Sequence, residues 1–287
     1  MAQIMDGKQI AAKVRGEIAA ECAELVKKGI VPGLAVIIVG DDPASKVYVR
    51  NKKKACEEVG FHSEVYELPE ATTEDELLAL VGRLNNDDRI HGILVQLPLP
   101  RHLNDDIIIA NIDPKKDVDA FHPVNVGKIM IGDYDFLPCT PAGVMVMLKE
   151  CGIDPAGKEC VVVGRSNIVG KPQAMLLLHA NGTVTVCHSK TKNLADVTRR
   201  ADILVVAIGK ADFITGDMVK DGAVVIDVGM NRRPDGKLTG DVDFASVEPK
   251  ASFITPVPGG VGPMTITMLL QNTLTSAKRV AGTPPRA

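Results

Sequence analysis

Short apolar runs rich in β-branched residues alternate along this chain with segments whose apolar residues recur at helical spacing. Two of these runs, residues 34–39 and 203–208, are continuously apolar. A strand of that kind is buried on both faces, as the strands of a parallel sheet are. Parallel neighbours need crossover connections, and these are usually helices. The alternation therefore predicts an α/β fold in which helices cover parallel sheets.

The pattern falls into two series, separated by an irregular stretch at residues 101–142 that is rich in Asp, Pro and Gly. With 287 residues, the chain is long enough for two domains of about 150 residues each. We therefore predict two α/β domains that flank a cleft, the second with a Rossmann-like parallel sheet. The first domain comprises residues 1–140 and 266–287, and the second comprises residues 141–265. Strands are predicted at residues 34–39, 63–68, 92–96, 159–164, 183–187, 203–207 and 224–228, and helices at residues 4–28, 43–59, 73–85, 141–151, 173–179 and 264–280.

The composition excludes several classes of protein. Lys and Arg total 33 and Asp and Glu total 36, so the net charge of −3 argues against a nucleic-acid partner or an anionic membrane surface. The apolar runs are shorter than the about 20 residues that span a membrane. The six cysteines include no C-x-x-C pair, so we expect neither a metal site nor a redox pair. Isolated thiols and an acidic N-terminus without an apolar signal region predict a cytoplasmic protein.

A glycine-rich loop follows the strand predicted at residues 159–164. It has the pattern G-x-S-x-x-x-G, with Gly164, Ser166 and Gly170 at the fixed positions, and a helix follows. In a dinucleotide site the first glycine permits the turn, a small second residue lets the backbone approach the pyrophosphate, and the last glycine allows close helix packing. The helix N-terminus would attract the phosphates. The alternative is an ordinary glycine-containing turn between strand and helix.

The end of the next predicted strand bears on which cofactor binds. An NAD site has an acidic residue there for the ribose hydroxyls, but this chain has His188, Ser189, Lys190 and Thr191. Hydroxyls, Lys190 and Arg165 would attract a 2′-phosphate, which a carboxylate would repel. The sequence therefore favours NADP, although His188 could equally be an ordinary surface histidine.

A third set of residues lies on the helix predicted at residues 43–59. Ser45, Tyr48 and Lys52 are spaced to share one helix face. The helix begins where a parallel strand ends, which is the edge at which open α/β sheets bind ligands, and Gln96 ends another strand of the same domain. These residues could form a site. The alternative is that the run 52–54 is a solvated set of lysines and that Tyr48 is a residue at the rim of the helix.

Seven motifs, in order along the whole chain, resemble bifunctional methylenetetrahydrofolate dehydrogenase/cyclohydrolases. Ala120 departs from that pattern, because the family usually has Gly after the aspartate of the third motif. The motifs are YVRNKKKA (48–55), GILVQLPLP (92–100), KDVD (116–119), PCTP (138–141), VGRSNIVGKP (163–172), CHSKT (187–191) and ITPVPGGVGPMT (254–265).

The resemblance implies two reactions on one folate carbon. The first passes a hydride from 5,10-methylenetetrahydrofolate to NADP, and the second adds water to the methenyl product to give 10-formyltetrahydrofolate. Lys52 matches the proton-transfer residue, Gln96 the residue that orients its amine, Tyr48 the ring that stacks on the folate, and Asp119 the acceptor for the pterin N–H groups. A lysine with an ordinary pKa of about 10.4 would be a poor base, so burial, a cationic substrate or the neighbouring lysines would have to favour its neutral form.

The resemblance also implies the remaining ligand contacts, tetrahydrofolate derivatives as the substrates and a homodimer. No metal is expected. The folate contacts are Ser45, Tyr48, Gln96, Leu97, Pro98, Asp119, Pro258, Gly259 and Gly260. The NADP contacts are Gly164, Arg165, Ser166, Ile168, Val169, Gly170, His188, Ser189, Thr191, Ala207, Gly229 and Thr265.

Several alternatives stay open at this stage. The glycines at residues 258–263 could approach a ligand or simply form a strained turn before the last helix. Asp227 and Asp241 could touch a ligand or satisfy loop N–H groups. The whole chain could be another NADP-dependent dehydrogenase, such as one resembling shikimate dehydrogenase, a non-catalytic NADP sensor, or a family member with one activity only.

Overall fold

The computed structural model describes residues 1–282, which form two compact units. The six-stranded unit consists of residues 1–12 and 140–265, and the three-stranded unit consists of residues 13–139 and 266–282. The helices are α1 (Gly7–Lys27), α2 (Pro43–Val59), α3 (Glu74–Asn85), α4 (Asp105–Ala110), α5 (Pro123–Ile131), α6 (Cys139–Glu150), α7 (Gly170–His179), α8 (Leu194–Thr198), α9 (Phe244–Val247) and α10 (Val261–Val280). The strands are β1 (Gln3–Ile4), β2 (Gly33–Val39), β3 (His62–Leu68), β4 (Gly92–Val95), β5 (Glu159–Val163), β6 (Thr183–Cys187), β7 (Ile203–Val206), β8 (Val224–Asp227), β9 (Asn231–Arg232), β10 (Leu238–Thr239) and β11 (Phe253–Ile254).

The three-stranded unit is built around a parallel sheet in the order β3-β2-β4. Every residue of β2 and β4 is buried, as expected for strands covered on both faces. Helix α2 begins at the Asp42 cap, whose carboxylate accepts the N–H of Ser45 at 2.7 Å, and it ends at Gly60 with φ of 80°. Helix α3 begins with a capping box between Thr73 and Glu76. These start and stop signals fix where the helices leave and rejoin the sheet.

The six-stranded unit contains a parallel sheet in the order β1-β11-β8-β7-β5-β6. Strands β7 and β8 are buried along their whole length, and β5 is buried except at Glu159. The core between this sheet and its helices is aliphatic, with Leu204, Val206 and Val225 among its fully buried members. A separate antiparallel pair joins β9 and β10. The predicted α/β class, with a Rossmann-like parallel sheet in the second domain, is confirmed.

The predicted strands and long helices all occur, with ends shifted by a few residues. Residues 1–12 differ from the predicted grouping, because β1 pairs with β11 and adds an edge strand to the six-stranded sheet. Strand β1 has only two residues, which is too short to show the alternation of apolar and polar residues that predicts a strand.

The stretch at residues 101–142 is also more regular than predicted, since it contains α4 and α5. Helix α5 has its own signals, a His122 cap, Pro123 in the first turn and Gly132 at φ of 78°, and the sequence analysis missed them. Within residues 1–282, no helix is long and apolar enough to cross a membrane.

Candidate functional site

One face of α2 carries the side chains singled out from the sequence. Ser45 and Lys52 are buried, with 6% and 9% of their surfaces exposed, and Tyr48 is half-buried between them. Lys53 and Lys54 are exposed. The shared face is therefore confirmed, and the interpretation of Lys52 as part of a solvated charge run is wrong.

The Lys52 amine is held by the amide at the end of β4. Lys52 Nζ donates to Gln96 Oε1 at 2.9 Å, and Gln96 Nε2 donates to the Leu97 carbonyl at 2.8 Å. The second bond fixes the amide so that its oxygen faces the amine. Leu97 is half-buried, and the exposed Pro98 follows it through a cis peptide bond. The structure thus brings Lys52 and Gln96 together, as the sequence analysis expected.

The pKa of Lys52 is lowered from its ordinary value. Burial is the main cause, because removing water disfavours the charged ammonium, and the nearby Asp119 carboxylate works in the opposite direction. The exposed Lys53 and Lys54 are not among the causes. Of the three influences named from the sequence, burial is the one that acts within this chain.

Asp119 lies close enough to Lys52 for the two charges to influence each other. Burial raises the pKa of Asp119, and Lys52 opposes that shift. The Cys139 thiol donates to Asp119 Oδ1 at 3.5 Å and to the Val118 carbonyl at 3.4 Å. Ala120, the departure from the family pattern, is fully buried at φ of 58°, the left-handed region that favours glycine.

Cys139 is a residue of this cluster to which the sequence analysis gave no role. Burial raises the pKa of its thiol well above the ordinary value, so it stays protonated and acts as a donor. A lone cysteine carries no sequence signal of such a contact. The cluster of Lys52, Gln96, Asp119 and Cys139 therefore combines an amine with a lowered pKa, an orienting amide and an anchored carboxylate, which suits proton transfer beside a bound ligand.

A cavity of about 270 Å³ lies at the carboxyl edge of the six-stranded sheet. Basic groups are present in its wall, from Arg165, His188 and Lys210, and the described lining residues include no carboxylate. Lys210 Nζ lies 5.4 Å from the centre of the Phe213 ring, a cation–π contact within that wall. The lining consists of Val163, Gly164, Arg165, His188, Ser189, Leu194, Ala207, Ile208, Lys210 and Phe213.

Five of the predicted cofactor contacts, Gly164, Arg165, His188, Ser189 and Ala207, line this cavity. Lys210 and Phe213 were not predicted from the sequence, because they follow β7 in a loop without a recognised motif. The basic wall and the apolar remainder fit an adenosine phosphate, with donors for the phosphate and an apolar surface for the base.

The glycine-rich loop has a geometry that differs in part from the prediction. A Cβ on Gly164 would lie 2.3 Å from the Ala207 carbonyl, and one on Gly170 would lie 2.4 Å from the Gly164 carbonyl. Gly170 therefore allows the loop to close on itself rather than the helix to approach the sheet. The Ser166 hydroxyl accepts the N–H groups of Val169 and Gly170 at 3.1 and 3.3 Å, so it caps α7 instead of simply leaving space.

The segment after β6 is a tight turn. The Thr191 hydroxyl accepts the His188 N–H at 2.9 Å, and His188 Nδ1 accepts the Lys190 N–H at 3.2 Å. Thr191 therefore shapes the turn, while His188 and Ser189 reach the cavity. Lys190, the favoured partner of a 2′-phosphate, is exposed and is not among the lining residues.

Two buried carboxylates support the loop on the far side of the cavity. Asp241 accepts the N–H groups of Ile208, Gly209 and Lys210 at 2.6 to 3.0 Å. Asp227 accepts the N–H groups of Asp241 and two further residues, and burial raises its pKa to about 6. Of the two alternatives, a contact with a ligand or hydrogen bonds to loop N–H groups, the structure shows the second for both aspartates.

The remaining predicted contacts lie outside the lining of this cavity. Gly229 makes room for Asp241, since a Cβ there would lie 2.2 Å from the Asp241 carboxyl carbon. Thr265 exchanges a hydrogen bond of 2.9 Å with the Thr140 hydroxyl. Ile168 is exposed, and Val169 is half-buried.

The glycines at residues 258–263 form a close backbone turn. Gly259 has φ of 105°, and the Gly260 carbonyl would lie 1.7 Å from a Cβ on Gly7. Pro258 is exposed and Gly259 is half-buried, while Gly260 is buried. The turn therefore packs closely against the start of α1, a contact that the sequence did not predict, and it leaves Pro258 and Gly259 accessible to a ligand.

Comparisons with known proteins cover nearly the whole chain. Residues 5–119 match the family model for the tetrahydrofolate dehydrogenase/cyclohydrolase catalytic domain, and residues 138–281 match the model for its NAD(P)-binding domain. A curated relative from Acetivibrio thermocellus, named bifunctional protein FolD, is 63% identical over 96% of this chain and 97% of its own length. The chain belongs to the tetrahydrofolate dehydrogenase/cyclohydrolase family.

Solved structures of the tetrahydrofolate dehydrogenase/cyclohydrolase family match the chain over 98% of its length. The enzyme from Campylobacter jejuni is 55% identical with a TM-score of 0.96, over 98% of this chain and 100% of that one. The Trypanosoma brucei enzyme, solved with NADP and an inhibitor, is 43% identical with a TM-score of 0.94, over 98% of both chains. The chain is therefore a bifunctional dehydrogenase and cyclohydrolase with an NAD(P)-binding domain, which decides against the non-catalytic sensor.

A likeness to shikimate dehydrogenase concerns the fold alone. The enzyme from Aquifex aeolicus has a TM-score of 0.53 at 11% identity, over 88% of this chain and 97% of that one. That level shows a shared architecture and nothing about activity. The alternative of a shikimate-type dehydrogenase is wrong because the chain belongs to the tetrahydrofolate dehydrogenase/cyclohydrolase family.

Proposed function

We propose that Lys52 moves the protons in the cyclohydrolase reaction of this enzyme, with 5,10-methenyltetrahydrofolate as the substrate. The observation that carries this proposal is the buried amine held by Gln96 at 2.9 Å. A lowered pKa increases the share of the amine that is neutral at a given pH, and a neutral amine can accept a proton from the attacking water. The same nitrogen, once protonated, can give a proton to the departing ring nitrogen.

Gln96 suits this task because its amide is neutral. A carboxylate at the same place would hold the lysine protonated, whereas the amide oxygen accepts a hydrogen bond from the amine without adding charge. Tyr48 would stack on the folate ring, and Asp119 would accept the pterin N–H groups. Ser45, Leu97 and Pro98 would complete the folate contacts of this unit, and Pro258, Gly259 and Gly260 would add backbone contacts.

In the dehydrogenase reaction, the chain mainly positions its substrates. Two flanking nitrogens of the folate stabilise the carbon that loses the hydride, so correct placement accounts for most of the rate enhancement. NADP supplies the hydride acceptor when it is bound. Gly164, Arg165, His188, Ser189 and Ala207 would hold its adenosine end in the described cavity. Ser166, Ile168, Val169, Gly170, Thr191, Gly229 and Thr265 would contact or shape the rest of the cofactor site.

The choice of NADP over NAD rests on the charge of that cavity. Arg165, His188 and Lys210 offer positive charge or N–H donors to a 2′-phosphate, and the described lining supplies no carboxylate to repel it. Comparing kcat/KM for the two cofactors tests this choice. We expect a clear preference for NADP that shrinks in an Arg165→Ala variant, and a wild-type preference for NAD would contradict the proposal.

A coupled assay with the Lys52→Met variant tests the role of the amine. The wild type is supplied with methylenetetrahydrofolate and NADP, while reduced cofactor and methenyl absorbance are followed together. We expect the wild type to consume the methenyl product faster than its spontaneous hydrolysis. The variant should lose that hydrolysis and still bind the cofactor.

The matched control is Lys53→Met, which removes the exposed neighbour and should leave both activities unchanged. Undiminished hydrolysis by Lys52→Met would refute the assignment. A wild type that accumulates methenyltetrahydrofolate without consuming it would retain only one of the two activities.

We further infer that the enzyme is a cytoplasmic homodimer that acts on tetrahydrofolate derivatives. The supporting observation for the compartment is that all six cysteines are free thiols, and five of them are buried. Sedimentation at micromolar concentration checks the assembly, and a monomer would contradict it. Fractionation of the source cells checks the compartment.

A further inference from the structure

Asn272 is a buried amide on α10 that binds two distant parts of the three-stranded unit. Its Nδ2 atom donates to the Val118 carbonyl at 2.8 Å and to the Leu137 carbonyl at 2.8 Å. These partners are 154 and 135 positions away in the sequence. Only 7% of the Asn272 surface is exposed, so both N–H groups of the amide are used inside the protein.

The two carbonyls lie within two residues of Asp119 and Cys139, the two members of the Lys52 cluster that contact each other. Val118 precedes Asp119, and Leu137 lies two residues before Cys139. The Cys139 thiol joins the two segments, since it donates both to the Val118 carbonyl and to Asp119 Oδ1. Asn272 Nδ2 also lies 3.8 Å from Cys139 Sγ. The Asn272 amide therefore lies where the segment of Asp119, whose charge acts on Lys52, meets the segment of Cys139.

The backbone around Leu137 cannot make this connection by itself. A helical partner for the Leu137 carbonyl would be the N–H of the residue four positions later, but that residue is Pro141, which has no N–H. Without Asn272 the carbonyl of the half-buried Leu137 would lose this donor, and a carbonyl left unpaired away from water is unfavourable. The Leu137 carbonyl thus has no N–H donor four residues later, and the Asn272 side chain of α10 supplies one.

We propose that Asn272 is a positioning residue for folate, which holds the Asp119 and Cys139 segments together so that the carboxylate faces the substrate beside Lys52. This inference rests on the folate-binding role proposed above for Asp119. If it holds, weakening the Asn272 bonds should reduce the affinity for folate in both reactions. The affinity for NADP should not change, because its cavity lies in the six-stranded unit.

The chain offers a matched control on the same helix. Ser276, also buried, donates its hydroxyl to the Lys115 carbonyl at 2.9 Å. This is again a bond from α10 to the segment that leads to Asp119, but it ends four residues before the carboxylate. Loss of a buried hydrogen bond is common to Asn272→Ala and Ser276→Ala, whereas displacement of Asp119 is expected only for the first.

The experiment compares wild-type enzyme with Asn272→Ala, Asn272→Ser, Ser276→Ala and Asp119→Ala. For each full-length protein it measures urea unfolding, KM and kcat for methylenetetrahydrofolate, cyclohydrolase rate and Kd for NADP. Asn272→Ala should raise the folate KM by about tenfold or more, as expected when a binding contact is lost, with the NADP Kd unchanged. Asn272→Ser retains one donor and should give an intermediate KM. Ser276→Ala should lose stability and keep the wild-type KM.

The possible outcomes separate this inference from the proposed function. A normal folate KM in Asp119→Ala would overturn the role of Asp119 and the inference with it. A raised KM in Asp119→Ala together with a normal KM in Asn272→Ala would overturn the inference alone. Equal KM changes in Asn272→Ala and Ser276→Ala would show a merely structural effect and would also overturn it. If Asn272→Ala does not fold, the KM of Asn272→Ser decides the matter.

Discussion

Three consecutive lysines of α2 have different surroundings, and the difference comes from the pitch of the helix. Lys52 points into the unit, where burial lowers its pKa, while Lys53 and Lys54 project into solvent. Successive residues of a helix point about 100° apart, so a basic run of three must divide between faces. The chemistry of Lys52 is therefore set by its position on the helix rather than by its charged neighbours.

The balance between burial and Asp119 predicts a pH shift. Asp119 raises the pKa of Lys52, so Asp119→Asn should lower that pKa further. The other two groups near the amine, the Cys56 and Cys139 thiols, stay protonated, because burial raises the pKa of Cys56 to about 12 and raises that of Cys139 well above its ordinary value.

Cyclohydrolase activity requires the neutral amine and falls as the pH drops through the Lys52 pKa. The acidic limb of kcat against pH should therefore move to lower pH in Asp119→Asn, by on the order of one pH unit. Asp133→Asn, which changes an exposed carboxyl group of the same unit, should leave the profile in place. A shift to higher pH in Asp119→Asn would contradict the electrostatic account.

Ala120 provides a second prediction at this scale. Its φ of 58° and complete burial leave no tolerance for a branched side chain. Ala120→Val should lower the free energy of unfolding by roughly 2 kcal/mol or more, through backbone strain and overpacking. Ala120→Gly relieves the left-handed strain but loses a buried methyl group and gains chain entropy in the unfolded state, so its net change should stay within about 1 kcal/mol. Urea denaturation distinguishes the two, and a fully stable Val variant would refute the strain argument.

At the scale of elements, α2 determines where the amine lies. The helix starts directly after the buried strand β2, and its Asp42 cap and Pro43 set the first turn. Ser45, Tyr48 and Lys52 then follow on one face at fixed spacing. Since the cap is a local interaction, the sequence alone predicted the start of this helix and the placement of its functional face.

Removing the cap should destabilise the protein. Asp42→Ala leaves the Ser45 N–H in the first turn without this acceptor, so the free energy of unfolding should fall by about 1 kcal/mol. Asp41→Ala is the matched control, since Asp41 is exposed and forms a surface ion pair with Lys46. In Asp41→Ala the free energy of unfolding should fall by about 0.5 kcal/mol or less. Equal losses in the two variants, measured by urea denaturation, would argue against the capping role.

At the scale of the whole molecule, neither unit is a continuous piece of chain. The six-stranded unit takes its edge strand from residues 1–12, and the three-stranded unit takes residues 266–282 from the end of the described chain. Those last residues bring Leu269, Leu270 and Leu274 into the buried core, together with Asn272. The family model for the NAD(P)-binding domain ends at residue 281, beyond the residue at which the compact unit ends.

Truncation should therefore affect the two units unequally. A chain that ends after Thr265 lacks the buried part of α10 that belongs to the three-stranded unit, so amide hydrogens of β2 and β4 should exchange rapidly. Amides of β5, β7 and β8 should stay protected, because their sheet is complete. A chain that ends after Gly282 keeps every described contact and serves as the control. Uniform protection in the shorter chain would contradict this division.

The sequence by itself determined the features that local physics fixes. Strand and helix alternation predicted the α/β class, and helical spacing predicted the shared face of Ser45, Tyr48 and Lys52. The Asp42-Pro43 cap and the glycines at residues 29 and 60 predicted ends of α1 and α2. The departure at Ala120 was also visible, because a single position can be compared with a motif. Each of these signals lies within a few residues along the chain.

Only the tertiary structure decided the contacts between distant segments. It joined Cys139 to Asp119, Asn272 to Val118 and Leu137, and β1 to β11, and it placed Lys210 rather than Lys190 in the cavity wall. Such contacts depend on how buried polar groups find partners once the chain is packed, and no short-range pattern encodes that choice. Desolvation, which lowers the pKa of Lys52, likewise exists only after the surrounding side chains have excluded water.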